Sequence, residues 1–330
     1  MRLTGEVVID HYTAANFSPL YDVEAQSWVD DLVDDILPLE KLPRLMWSDE
    51  IAGHITKEAA QMTGLAFGTP VTVGTIDAAA EALSVGTNKS GDMMLMYGST
   101  IFIILKAHSK VTDPRIWYAP WLFEGEHASM AGLATSGTLT HWFRDQIARD
   151  QSVQDAFPTL VEEATKSPPG ANGLLMLPYF SGERTPLHDV NAKGAMFGFN
   201  LTHTREDIYR ALIEGIAHGT RHVTDTFAEL DQAPKRFLAV GGGTKNALWL
   251  QATSDITGID QIVCEKTTGA SYGDAFLAAM AVGLVERADI AQWNPVVKTI
   301  TARPNAVYDK AHGLFRRLYE QTKDIAAELT

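Results

Sequence analysis

The chain has 330 residues, 45% hydrophobic and 21% charged, and its formal net charge is −14 with histidines neutral. That length suits about two domains with sizeable cores, and the acidity argues against nucleic acid or an anionic membrane surface as partner. The one cysteine, Cys264, excludes an internal disulfide and a cysteine-built zinc site, and it fits a reducing compartment.

Met1-Arg2-Leu3-Thr4-Gly5-Glu6 has no apolar core of a secretory signal. No stretch approaches the ~18 consecutive apolar residues of a membrane span. A soluble, cytoplasmic protein that binds something small is expected. Residues 24–64 read as helices and loops, with Trp28, Leu32 and Ile36 at helical spacing and Pro43 interrupting before Met46. Pro70 to Thr75 is short and β-branched, a strand. Asp77 follows at its end, and Ala78-Ala79-Ala80-Glu81-Ala82-Leu83 is rich in helix formers.

The polar run Thr87 to Asp92 marks a domain boundary. Met93 to Tyr97 and Ile101 to Leu105 are apolar strands joined by Gly98-Ser99-Thr100, which makes a β-hairpin. The methionines Met93, Met94 and Met96 are expected to fill core space. A helix begins near Ser136-Gly137 and carries Trp142 and Ile147, and Ser152 to Lys166 is another. Leu174 to Phe180 is apolar and runs into the loop Ser181 to Pro186. At Thr204 a hydroxyl followed three residues later by Asp207 forms a variant capping box, and Ile208, Leu212, Ile216, Val223 and Phe227 continue the helix face. Phe237 to Val240 is a strand, Gly241-Gly242-Gly243 a turn and Asn246 to Ile256 a helix. Gln261 to Cys264 is a strand and Ala275 to Ala281 a helix. Alternating strands and helices give an α/β or mixed class in two lobes.

Three places could carry chemistry. The three-glycine turn between strand and helix lets backbone N–H groups approach a phosphate at a helix N-terminus, or it is only a tight turn. A dinucleotide fingerprint would need glycine where Asn246 stands, and no Walker P-loop is present. Asp77 could be a general base or a magnesium contact, or merely a helix N-cap. Gly98-Ser99-Thr100 could cradle a phosphate or simply turn the chain. The ten histidines form no His-Glu-x-x-His set, no metal ligand is assigned, and His218 and His222 read as packing or surface residues. No Gly-x-Ser-x-Gly elbow anchors a hydrolase triad.

The order of these pieces is more specific than any one of them. Leu3 to Glu6, Gly74-Thr75-Ile76-Asp77-Ala78-Ala79, Tyr97-Gly98-Ser99-Thr100 and Pro178 to Pro186 come first. Gly194 to Phe199, Ala211 to Gly215 and Val240 to Asn246 with Trp249 and Gln251 follow. Together they resemble the FGGY family of carbohydrate kinases, the xylulose- and ribulose-type kinases most. The resemblance implies a two-lobed actin/hexokinase-like (ribonuclease H-like) ATPase fold that phosphorylates a pentulose with ATP and Mg2+. Asp77 resembles the base that deprotonates the sugar hydroxyl and contacts the sugar. Gly98, Ser99 and Thr100 resemble the hairpin over the phosphates, Gly137 the glycine at the nucleotide's edge, and Gly242, Gly243 and Asn246 the adenosine-binding turn.

Family members carry a long segment ahead of the position of Met1, so the first lobe is expected to be incomplete. Residues 1–85 would be its remnant, 86–285 the nucleotide lobe and 286–330 a C-terminal helical return. An exposed sheet edge in such a chain would favour pairing with a second copy, as a homodimer. Ala78 stands where xylulose kinases often carry a polar amide, which leaves the sugar open. The alternative function is a non-catalytic nucleotide-binding or regulatory fragment. A nucleotide-dependent oxidoreductase on the glycine turn is disfavoured by Asn246.

Overall fold

The computed structural model describes residues 1–30, 37–150 and 156–329. Its first part is a set of short paired segments. Strand β1 (Val8–Asp10) leads into a single helical turn, α1 (His11–Ala14), because the Asp10 carboxylate caps it by accepting from the Thr13 amide. Strands β2 (Tyr21–Asp22) and β3 (Ser27–Trp28) pair antiparallel, and β4 (Arg44–Met46) runs parallel to β1. After β5 (Ile51–His54) comes helix α2 (Lys57–Thr63), capped by Thr56 and closed by left-handed Gly64. Strand β6 (Pro70–Thr72) returns antiparallel to β5. Helix α3 (Asp77–Ser84) buries Ala79, Ala80, Ala82 and Leu83.

This region departs from the sequence reading. Trp28 lies on a strand and residues 44–46 and 51–54 are strands as well, where helices and loops were expected. Leu32 and Ile36 fall outside the described residues. Each strand is only two to four residues long, too short for a period-2 pattern to register, and each depends on a partner segment elsewhere in the chain. The strand expected over 70–75 ends at Thr72.

Among the described residues, the larger body is a seven-stranded mixed sheet whose strands, side by side, are residues 296–300, 261–264, 236–240, 92–97, 101–107, 127–133 and 117–120. Its hairpin is β7 (Asp92–Tyr97) and β8 (Ile101–Ala107), in register from Met93 opposite Leu105 to Tyr97 opposite Ile101. Strands β9 (Trp117–Pro120) and β10 (His127–Leu133) extend it antiparallel beyond β8. Helices α4 (Gly137–Gln146) and α5 (Ala156–Ala164) follow. Ile147 caps the first rather than continuing it, and residues 152–155 of the second expected helix lie outside the described residues. A small separate pair, β11 (Leu175–Leu177) and β12 (Ala195–Phe197), precedes the long helix α6 (Arg205–Glu229). There the Thr204–Asp207 capping box is present as the sequence predicts.

Strand β13 (Arg236–Val240) then runs parallel to β7 at the middle of the sheet. Helix α7 (Ala247–Thr257), strand β14 (Gln261–Cys264) and helix α8 (Ala270–Ala281) follow. Helix α8 starts at Ala270, ahead of the expected Ala275. The short α9 (Ile290–Trp293) leads to the edge strand β15 (Val296–Ile300) and the closing helix α10 (Ala306–Glu328). Residues 286–330 therefore add a strand to the main sheet as well as helices.

Alternation along β7 divides the core. Met93, Leu95 and Tyr97 face one cluster with α6 and α7, whereas Met94 faces another with Leu83, Phe276 and Leu277 of α3 and α8. Both faces are covered, which is why the strand reads as an unbroken apolar run. The methionines fill core space as expected.

Candidate functional site

The β7–β8 hairpin tip and the N-terminus of α4 are built as one piece. The Gly98 carbonyl accepts from the Gly137 amide at 3.0 Å and from the Ser136 hydroxyl at 3.1 Å. The Ser99 carbonyl accepts from the Ser136 and Thr138 amides and from the Thr138 hydroxyl. A Cβ at position 137 would lie 2.4 Å from the Gly98 oxygen, so only glycine permits this approach. The Ser99 side chain stays exposed. Thr100 acts differently, closing the turn with its backbone: its carbonyl accepts from the Gly98 amide.

The three-glycine turn abuts the same hairpin. Gly241 has φ +89°, and a Cβ there would meet the Tyr97 backbone at 2.7 Å. A Cβ at Gly242, in contrast, would project into open space. Asn246 caps α7 by accepting from the Trp249 amide at 3.0 Å, and Trp249 packs edge-on against Tyr97 with ring centroids 5.0 Å apart. These pieces enclose a cavity of about 530 Å³. Gly98, Ser99, Gly137, Gly242, Gly243 and Asn246 all line it, and the N-termini of α4 and α7 open onto it. At α4 the Ser136, Gly137 and Thr138 amides are taken by the hairpin carbonyls, so it is the α7 N-terminus, the exposed Ser99 hydroxyl and the glycine-thin walls that suit an anionic phosphate chain. Phe157, Pro158 and Val161 give the other wall an apolar surface for a flat ring. Thr100 does not line the cavity.

Sequence reasoning did not single out His141, Lys245 or the apolar wall from α5 as part of this cavity. Only the packing of α4, α5 and α7 onto one side of the sheet puts them there, and no local pattern announces it. His218 is buried among the rings of Tyr308, His312 and Phe315, which is a packing role.

Asp77 lies apart from the cavity, exposed, in the first turn of α3, where its Oδ1 accepts from the Ala78 amide at 2.7 Å. The N-cap position belongs to Ile76, so Asp77 stands in the first turn of the helix. One turn further, Glu81 shares a narrow crevice with Gly241, Lys266 and Gly269. Helix α3 thus runs from Asp77 to the back of the glycine turn. Burial, with the Asp77 charge adding to it, raises the Glu81 carboxyl above its ordinary range.

Two further carboxylates lie against the loop that precedes Asp77. Asp10 is 3% exposed, and its Oδ2 accepts from the Thr75 hydroxyl at 2.8 Å, the Thr13 amide at 3.2 Å and the Ser48 hydroxyl at 3.3 Å. Burial pushes its pKa up, and those hydrogen bonds pull it back. Asp274 of α8 approaches the loop from the other side, with Oδ1 3.5 Å from where a Gly74 Cβ would stand.

The profile described as "FGGY family of carbohydrate kinases, N-terminal domain" matches residues 1–84, and its C-terminal counterpart matches residues 93–282. The chain belongs to the FGGY family of carbohydrate kinases. Xylulose kinase of Bacillus subtilis is 28% identical over 335 residues, covering 99% of this chain and 66% of that protein. Ribulokinase of Anoxybacillus flavithermus is 33% identical over 243 residues, covering 70% and 43% respectively. The crystal structure of xylulose kinase from Rhodospirillum rubrum superposes with a TM-score of 0.91 at 31% identity, covering 99% of this chain and 66% of that one. The fold is therefore the two-domain actin/hexokinase-like fold of the FGGY sugar kinases. The chain spans just under two thirds of the length of these two xylulose kinases.

Proposed function

We propose that this chain is the nucleotide-binding and base-bearing part of an ATP-dependent sugar kinase whose acceptor is a pentulose of the xylulose or ribulose type. One observation carries the reading: residues drawn from the β7–β8 hairpin, α4 and the β13–α7 turn converge on a single cavity with two helix N-termini at its wall. Phosphoryl transfer asks the protein mainly for positioning and charge stabilisation, and these residues can supply both. The division into residues 1–85, 86–285 and 286–330 belongs to the same proposal. It is supported by the break between the family matches at residues 84 and 93.

In this reading ATP lies along the cavity, its phosphates toward Ser99 and the glycine turn, with Asn246 and Trp249 fixing the start of α7. The Asp77 carboxylate takes the proton of a sugar hydroxyl. That oxygen bonds to the γ-phosphorus, the bond from γ-phosphorus to the β–γ bridging oxygen breaks, and ADP leaves. Among the described residues no three His, Cys, Asp or Glu side chains form a metal cage of their own. This fits Mg2+ carried in on the phosphates, since the ion keeps several waters and uses few protein ligands. Asp274 Oδ1, buried and without a hydrogen-bond partner among the described residues, is an oxygen donor of the kind it takes. The ion would neutralise phosphate charge.

No helix among the described residues is long and apolar enough to cross a membrane, and Cys264 is a buried free thiol. Both support the cytoplasm as the place of action. Self-association is also proposed, through β15 at the edge of the main sheet, which leaves Val296 and Val297 exposed.

The test is calorimetric titration of Mg-ADP together with turnover on xylulose and ribulose. Saturable binding that weakens about tenfold or more in Gly242→Leu supports the cavity, because that side chain would fill the open space it faces. Unchanged affinity removes the glycine turn from the site. Asp77→Asn should lower turnover by about 10²–10⁴-fold with nucleotide affinity retained, and retained turnover refutes the base.

A further inference from the structure

Helix α3 begins without a side-chain cap on Ile76, and within the helix the Asp77 carboxylate is held only through the neighbouring Ala78 amide. Its two predecessors are fixed instead from β1 and α1. The Thr75 hydroxyl donates to Asp10 Oδ2 at 2.8 Å, and the Ile76 amide donates to the Thr13 hydroxyl oxygen at 3.2 Å. Thr13 is held by the same carboxylate, because its own amide donates to Asp10 Oδ2. Ser48 ties in the remaining side: its hydroxyl donates to Asp10, and its carbonyl accepts from the Gly74 amide at 3.1 Å and the Thr72 hydroxyl at 3.0 Å.

We propose that Asp10 is a positioning residue for the reaction: through Thr75 and Thr13 it clamps the two residues before Asp77 and so aims the Asp77 carboxylate. The inference rests on the reading of Asp77 as the base. A buried carboxylate without an ion-pair partner costs stability. Asp10 has no salt bridge among the described residues, and its neighbours are two hydroxyls and an amide. An asparagine of the same shape could accept the same bonds at lower desolvation cost. What the charge adds is strength in those bonds, since a carboxylate acceptor is roughly twice as strong as a neutral one. Fixing a reacting group to within a fraction of an ångström offsets that cost, because a displacement of about 1 Å can lower a rate by about 10²-fold.

Asp10 also caps α1 and supports β1, so its replacement risks unfolding the segment. Thr75→Val removes only the hydroxyl that reports to Asp10, and Thr75→Ser keeps it. In the full chain, hydrogen exchange followed by mass spectrometry and NMR should show the Ile76 amide, which donates to Thr13, exchanging about tenfold faster in Thr75→Val, while Ala80 and Leu83 of the same helix keep their rates. Turnover on xylulose should fall about 10- to 100-fold with KM for ATP within about twofold, and Thr75→Ser should restore both readouts. Unchanged exchange overturns the clamp, and faster exchange with full turnover overturns its purpose. Failure of the serine variant to rescue assigns the loss to packing and also overturns the proposal. Turnover that survives Asp77→Asn refutes the base assignment instead, and with it the reason for the clamp. That outcome is read from a separate variant.

Discussion

Glu183 is the residue at which burial and charge conflict most openly. It is 4% exposed, its Oε1 accepts from the Ala134 and Arg184 amides at 2.7 Å each, and its Oε2 is buried with no partner among the described residues. Burial outweighs those two amides and the Arg184 charge, and the carboxyl is pushed up from 4.5 to about 7. A raised folded-state pKa means that the folded chain holds a proton the unfolded chain releases. The stabilisation is complete below about pH 4.5 and is lost as pH rises to about 7. Glu183→Gln cannot titrate. Between those limits the variant should gain on the wild type by up to about 3 kcal/mol, with a constant difference above pH 7. Thermal unfolding of both proteins from pH 4 to 8 measures this, and parallel curves would show that folding leaves the Glu183 pKa unshifted. The motif containing Glu183 was legible in the sequence, but its desolvation was not. The segment it packs against includes Ala134, just after β10 and 49 positions earlier in the chain.

At the level of elements, the contact between α3 and α8 matters most, since α3 carries Asp77 at its start. The two helices approach so closely that a Cβ on Gly273 would stand 1.9 Å from the Ala80 carbonyl oxygen. Gly273→Ala must drive them apart. Overpacking of this kind costs about 1–3 kcal/mol, and it should also reduce turnover by displacing Asp77. The control is Gly313→Ala in α10, where nothing lies within 4 Å of the added Cβ. Helix propensity alone should stabilise that variant by about 0.5–1 kcal/mol. Equal melting temperatures for the two variants would show that α3 and α8 can separate freely. The small-residue run in α3 read correctly as helix, whereas its reason, an alanine face pressed against a glycine far along the chain, could not be read from the run.

For the molecule as a whole, the exposed edge is β15. Val296 is 50% and Val297 is 60% exposed on a strand that pairs with β14 and ends the seven-stranded sheet. An apolar edge strand pairs readily with another chain, although the net charge of −14 opposes dense association. Sedimentation velocity should show a concentration-dependent dimer that Val297→Lys shifts to monomer. A wild-type chain that stays monomeric at every concentration would rule the edge out as an interface.

Features that close over a few residues are legible from the sequence without the fold. Among them are the hairpin at Gly98, the capping box at Thr204 and the glycine turn after β13, and the order of these pieces points to the family. Such features rest on backbone conformations and caps whose partners are three or four positions away, so a local pattern suffices. The tertiary structure alone decided that residues 98, 137 and 242 share one cavity, that Asp77 leads its helix without capping it, and that Asp10 reaches Thr75 across 65 positions. Strand order and helix packing set those meetings, and they are joint properties of segments whose own sequences do not mention one another.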